Sequence, residues 1–125
     1  MRRAAPPREI PPPLELECLK ALWGMGEGSV RDVREVLVGN RNLAYTTVMT
    51  VLDRLEKRGS VTRRKQGRSF VYEPKVSKEA LRRFAVKELL DCFFGGSEQE
   101  LIEYLRGAKE PRSLNAQADL DAALL

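Results

Sequence analysis

From Leu14 onward the chain repeats one pattern: a short apolar stripe at helical spacing, then a break rich in Gly, Ser or Asn. Leu14, Leu16, Leu19, Leu22 and Trp23 form the first stripe, and Gly24 and Gly26 predict its end. Ser29, with Asp32 three residues on, has the spacing of a capping box. Behind it Val30, Val33, Val36 and Leu37 give a second helix an apolar face, closed at Gly39-Asn40. A third helix is expected from about Tyr45 to Arg58, with Gly59 as its stop. Helices this short, joined by turns this short, have the spacing of a helix-turn-helix.

At 100° per residue, Val48, Val51, Leu52 and Leu55 fall on one stripe of the third helix. Opposite lie Thr46, Thr50, Asp53 and Lys57, flanked by Met49 and Arg54. That outward face is small, hydrogen-bonding and cationic. Threonine can donate, accept and set its methyl against a thymine methyl, while Lys and Arg reach guanine or phosphate. After Gly59 the period becomes two. Val61 to Lys65 and Arg68 to Tyr72 read as strands around a Gln66-Gly67 turn, with Pro74 ending the ladder and Phe70 and Tyr72 on one face. A helix-turn-helix followed by a β-hairpin is a winged helix. Helical spacing then returns with Leu81, Phe84, Ala85, Leu89 and Phe93. Gly95-Gly96-Ser97 breaks it before a short helix with Leu101, Ile102, Tyr104 and Leu105, and a weak helix is expected over Leu114 to Leu125. These last elements are too apolar to stand alone and lie beyond what a winged-helix core needs, so a second copy of the chain is the simplest cover.

Charge sharpens this reading. Arg54, Lys57, Arg58, Arg63, Arg64, Lys65 and Arg68, against Glu56 alone, put +6 into one window of a chain whose total is +4. The remainder is net negative, so the basic charge is concentrated where the third helix meets the hairpin. That is how a small domain presents one face to a polyanion. A charged hairpin can also protect an edge strand, but edge protection does not require a single sign.

Composition removes whole classes of chemistry. In 125 residues there is no histidine, so His-based acid–base catalysis, Ser/His/Asp and Cys/His triads and His-containing zinc sites are excluded. No Gly-rich phosphate loop or carboxylate pair of catalytic spacing is present, and no enzyme is expected. Cys18 and Cys92 are 74 positions apart and sit among apolar neighbours, which predicts buried, inert thiols and no metal site or cofactor. No apolar run approaches the roughly 18 residues of a membrane span, and a cytoplasmic protein is expected. Five of the seven prolines fall in the first thirteen residues, so residues 1–12 read as a disordered arm; Arg2, Arg3 and Arg8 leave a minor-groove contact open.

The run Leu43-Ala44-Tyr45-Thr46-Thr47-Val48-Met49-Thr50-Val51-Leu52-Asp53-Arg54-Leu55 resembles one family strongly. Lys57-Arg58-Gly59, Gly67-Arg68, Tyr72-Glu73-Pro74 and the opening Leu16-Glu17 and Leu22-Trp23 continue the match. It is the family of bacterial penicillinase, methicillin-resistance and copper-transport repressors, and the resemblance spans about residues 14–105. It implies a homodimeric, non-enzymatic repressor on a palindromic operator. Its fold would be mainly α with a small β-hairpin: a winged helix-turn-helix, residues 13–75, plus a helical dimerisation domain, residues 76–125. By position, Ala44 to Arg58 would be the recognition helix, Val61 to Tyr72 the wing and Ser77 onward the dimer-forming part. Three features depart from the pattern. The Asn-Phe pair cut in penicillinase-type members is matched here by Glu103-Tyr104. The C-terminal Cys cluster of copper-responsive members is reduced to Cys92. Ala44 is a poor N-cap, and Thr46 or Thr47 would shift the helix start.

The expected partners are therefore double-stranded DNA and a second copy of the chain, with no membrane and no metal. Thr46, Thr47, Met49, Thr50 and Arg54 are expected near base edges or adjacent phosphates. Lys57, Arg63, Arg64, Lys65 and Arg68 are expected chiefly on phosphates. Leu81, Phe84, Leu89, Phe93, Leu101, Ile102, Tyr104 and Leu105 are expected at the dimer interface. Two other readings remain open on sequence: a winged-helix module docking an acidic protein partner, and a repressor released by a small-molecule effector.

Overall fold

The computed structural model describes residues 6–39 and 42–107. Arg2, Arg3, Asn40 and the expected helix over Leu114 to Leu125 lie outside the described residues. The chain divides into two compact units, Met1–Ala85 and Val86–Leu125. The division falls ten residues beyond the expected boundary at 75/76, because the first turns of the helix after the hairpin pack on the first unit's core.

In the first unit α1 spans Pro13–Met25, and a proline at its first position costs nothing because that N–H would have no helical partner. The helix runs through Gly24 and ends at Gly26, whose φ of 86° turns the chain and whose N–H bonds the Leu22 carbonyl at 2.7 Å. Helix α2, Val30–Leu37, opens on the expected box: Ser29 Oγ accepts from the Asp32 N–H, and Asp32 accepts from the Ser29 N–H at 3.0 Å. That bond holds the Asp32 carboxyl below its ordinary pKa. Val36, expected on the apolar face, is 54% exposed, since Val30, Val33 and Leu37 already fill the stripe that faces α1 and α3.

Helix α3 spans Tyr45–Lys57 and begins at the expected residue, with Ala44 itself as N-cap and no side chain capping the first turn. Its far end is a Schellman motif. Ser60 N–H bonds Leu55 O at 2.9 Å, Gly59 N–H bonds Glu56 O at 3.0 Å, and Gly59 takes the left-handed φ of 82° that this closure requires. The turn between α2 and α3 is stapled by Arg34, whose Nε donates to the Leu43 carbonyl at 2.8 Å.

Strands β1, Val61–Gln66, and β2, Ser69–Pro74, pair antiparallel from Val61 opposite Pro74 to Gln66 opposite Ser69. The tight turn is thus Gly67-Arg68, one residue later than expected, and Pro74 ends the ladder from within it. The α1–α2 loop adds one bridge that no sequence period signals: Gly28 and Tyr72 exchange backbone hydrogen bonds of 2.9 and 2.8 Å. The core collects Leu19 and Leu22 from α1, Val33 from α2, Val48, Leu52 and Leu55 from α3, and Val61 and Tyr72 from the hairpin.

Helix α4, Lys78–Phe93, starts at Ser77, whose Oγ accepts from the Ala80 N–H at 3.0 Å. Of the residues expected at a dimer interface, Leu81 is buried in the core of the first unit and Phe84 packs against that core. Pro11 is also buried in this unit and Glu9 lies 3.5 Å from Arg58, so the part of the N-terminal segment that is described rests on the fold.

The second unit, as described, is the end of α4, a Gly95-Gly96 turn at φ 56° and 79°, and α5, Glu98–Gly107. Ser97 Oγ caps α5 through the Glu100 N–H at 3.1 Å, and the Phe94 and Tyr104 rings pack with centroids 5.5 Å apart. No residue of α5 is buried. Cys92 is exposed, against expectation, whereas Cys18 is fully buried and its thiol is pushed up to about 12, mainly by burial.

Candidate nucleic-acid interface

With Val48, Val51, Leu52 and Leu55 turned into the core, α3 has no choice about what it shows to solvent. Thr46, Thr47, Met49, Thr50, Arg54 and Lys57 are all exposed on the outward side. Thr50 Oγ1 donates to the Thr46 carbonyl at 2.9 Å, so its hydroxyl proton is engaged within the helix and it offers lone pairs and a methyl outward.

Beside this face lies a groove of about 640 Å3, walled by α3, the start of α2 and the hairpin, with Tyr45, Met49, Thr50, Arg63, Arg68 and Phe70 among its lining. Three cations line it: Arg31 from α2, Arg63 from β1 and Arg68 from the turn. Cross-strand partners share a face, so Arg63 and Lys65 lie on the side of Tyr72 and Phe70, while Arg64 lies on the side of Val71. Arg63 is held firmly. Its guanidinium stacks 4.5 Å above the Phe70 ring and lies 3.5 Å from the Asp53 carboxylate. A hydrogen bond with Tyr72, then the nearby Glu56 and Asp53 carboxylates, raise its pKa further above the ordinary value.

The seven cations of the window are not equally free. Arg64 pairs with Glu27 of the α1–α2 loop, and that bond lowers the Glu27 pKa. Lys57 lies 3.1 Å from Asp53. Arg58 faces the opposite way, bonding at 2.9 Å to Glu15, a carboxylate only 4% exposed at the start of α1. It ties two helix ends together and takes no part in the groove. Arg54, Lys65 and Arg68 carry no ion pair among the described residues. Seven sequence-selected cations thus become three open ones, two shared with Asp53, one held by Glu27 and one structural.

Sequence reading passed over Asp53 as a bridging group, Glu27 as a counter-ion and Phe70 as a stacking platform. Asp53 was legible from its i,i+4 spacing to Lys57. Glu27 and Phe70 depend on register and loop placement, which spacing along the chain does not encode.

Of the interface residues expected in the second unit, Phe93 is 77% exposed, Tyr104 62% and Leu105 57%, with Leu89 and Ile102 also exposed and Leu101 half-buried. Among the described residues no helix is long and apolar enough to cross a membrane, and no cluster of three His, Cys, Asp or Glu could hold a metal ion.

A family model described as penicillinase repressor matches residues 12–120. The transcriptional regulator BlaI of Mycobacterium tuberculosis is 37% identical over 115 residues, covering 87% of this chain and 83% of that one. The penicillinase repressor of Bacillus licheniformis is 27% identical over 88 residues, 70% of this chain and 69% of that one. The solved DNA-binding domain of the repressor BlaI superposes with a TM-score of 0.53 at 28% identity, covering 61% of this chain and 93% of that domain.

Proposed function

This chain belongs to the penicillinase repressor family, and from that premise we propose that it is a DNA-binding transcriptional repressor acting in the cytoplasm as a homodimer on a pseudo-palindromic operator. The observation that carries the reading is the groove between α3 and the hairpin. A hydrogen-bonding helix face and a stacked, pre-oriented Arg63 border one concavity, and Arg68 lies at its turn. α3 enters the major groove of a half-site, where Thr46, Thr47, Met49, Thr50 and Arg54 meet base edges and adjacent phosphates. Lys57, Arg63, Lys65 and Arg68 take phosphates, which fix register without reading sequence.

Arg64 takes a lesser part than its neighbours, because Glu27 already holds it. The exposed Leu89, Phe93, Ile102, Tyr104 and Leu105 support a second copy of the chain as the other partner: apolar side chains this exposed on two helices want cover. Two-fold symmetry then sets half-site centres one helical turn apart, on the order of 34 Å.

The experiment is a duplex-binding assay against specific and scrambled competitor, with the duplex drawn from a random pool by selection. Thr50→Ala should change which sequences are selected. Arg68→Ala should weaken all duplexes alike. A module that docks an acidic protein through this face would show no sequence preference, and that result would remove the repressor reading.

A further inference from the structure

A second concavity, sharing no lining residue with the groove, lies wholly within the first unit. Leu16, Lys20 and Trp23 project from one side of α1 at helical spacing, and Lys78, Leu81, Arg82 and Ala85 do the same from the first turns of α4. Ile10 of the N-terminal segment closes one end, and the volume is about 610 Å3, within the range of small-molecule sites. The Trp23 ring is a fixed wall: its indole N–H donates to the Val76 carbonyl at 2.8 Å.

The lining has a definite chemical sense. Five apolar side chains, Ile10, Leu16, Trp23, Leu81 and Ala85, make the floor; three cations, Lys20, Lys78 and Arg82, stand exposed around it; among the described residues no carboxylate lines it. Arg82 has only a long pair with Glu79 at 3.7 Å, and Lys20 and Lys78 have no ion pair among the described residues. Nucleic acid matches the charge but offers no apolar body for the floor. A neutral apolar molecule matches the floor but leaves three cations without a counter-charge. We propose that this pocket binds a small organic anion with an apolar body, of the class of an aromatic monocarboxylate, the ring against Trp23 and Leu81 and the carboxylate toward Lys78 and Arg82. The site goes beyond DNA recognition and uses none of its residues.

Trp23 is the only tryptophan of the chain, so its fluorescence reports on the pocket directly. The full chain is titrated with benzoate at constant ionic strength, and in parallel with benzyl alcohol, which has the same ring and no charge. Expected is a saturable Trp23 signal with benzoate in the millimolar range, with benzyl alcohol at least about tenfold weaker, a difference that the carboxylate–cation contacts supply. The double variant Lys78→Gln/Arg82→Gln should weaken benzoate by a similar factor while keeping its thermal midpoint and its duplex binding. Benzoate and benzyl alcohol binding alike, a double variant that binds benzoate as the parent does, or no saturation at all would each overturn the site. Duplex binding by the same preparation is measured separately, so failure here is distinguishable from failure of the repressor reading.

Discussion

Single residues here are decided by which partner reaches them first. Under the proposed function, Glu27 and Asp53 are the two acids that set how much of the basic window is available to DNA. Glu27 holds Arg64 on the side of the hairpin away from Tyr72 and Phe70, and Asp53 divides itself between Lys57 and Arg63. Exposed pairs of this kind contribute little to stability because water and salt screen them, so on the proposed function their effect falls on binding. Glu27→Gln should free one guanidinium per protomer and tighten binding to all duplexes alike. It should also steepen the dependence of log K on log salt by roughly 0.9 for each further phosphate neutralised. An unchanged or shallower slope in a salt titration would show that Arg64 cannot reach the duplex. Glu15 and Arg58 differ in kind: a nearly buried carboxylate at the start of α1 joins the end of α3, so this pair belongs to the fold.

At the scale of elements, sequence spacing located every helix and both strands among the described residues, because each carries a strong period and a recognisable boundary. The Ser29–Asp32 box, the Gly59 stop and the buried stripe of Val48, Val51, Leu52 and Leu55 are local facts, fixed by residues within one or two turns of each other. What spacing did not reveal is long-range. The Gly28–Tyr72 bridge joins residues far apart in the chain, and Leu81 and Phe84 have the same helical period whether they pack on their own unit or on another copy. Cys92 has apolar neighbours in sequence yet is exposed, since neighbours along a helix point in different directions. One element is weaker than it needs to be. α3 starts at Ala44 with no side-chain cap, so Ala44→Ser should raise stability by about 1 kcal/mol and the unfolding midpoint by several degrees. A thermal melt that shows no gain would mean the first turn is already satisfied in another way.

For the whole molecule the claim is that a doubled winged helix straddles duplex DNA. Its assembly half rests on α5 and the end of α4, where Phe93 is the most exposed of the large hydrophobic side chains. Phe93→Glu should shift the sedimentation-equilibrium mass from dimer to monomer and weaken operator binding, with the first unit still folded; a variant that stays dimeric would place the interface elsewhere. The recognition half is tested most directly by salt. Operator duplexes obtained by selection are titrated with the intact chain over stepwise increases in KCl, beside scrambled duplexes of the same length. About six phosphate contacts per dimer predict that log K falls with log salt at a slope of roughly −5, with the selected duplex bound more tightly throughout. A slope near zero, or equal affinity for both duplexes, would contradict the account.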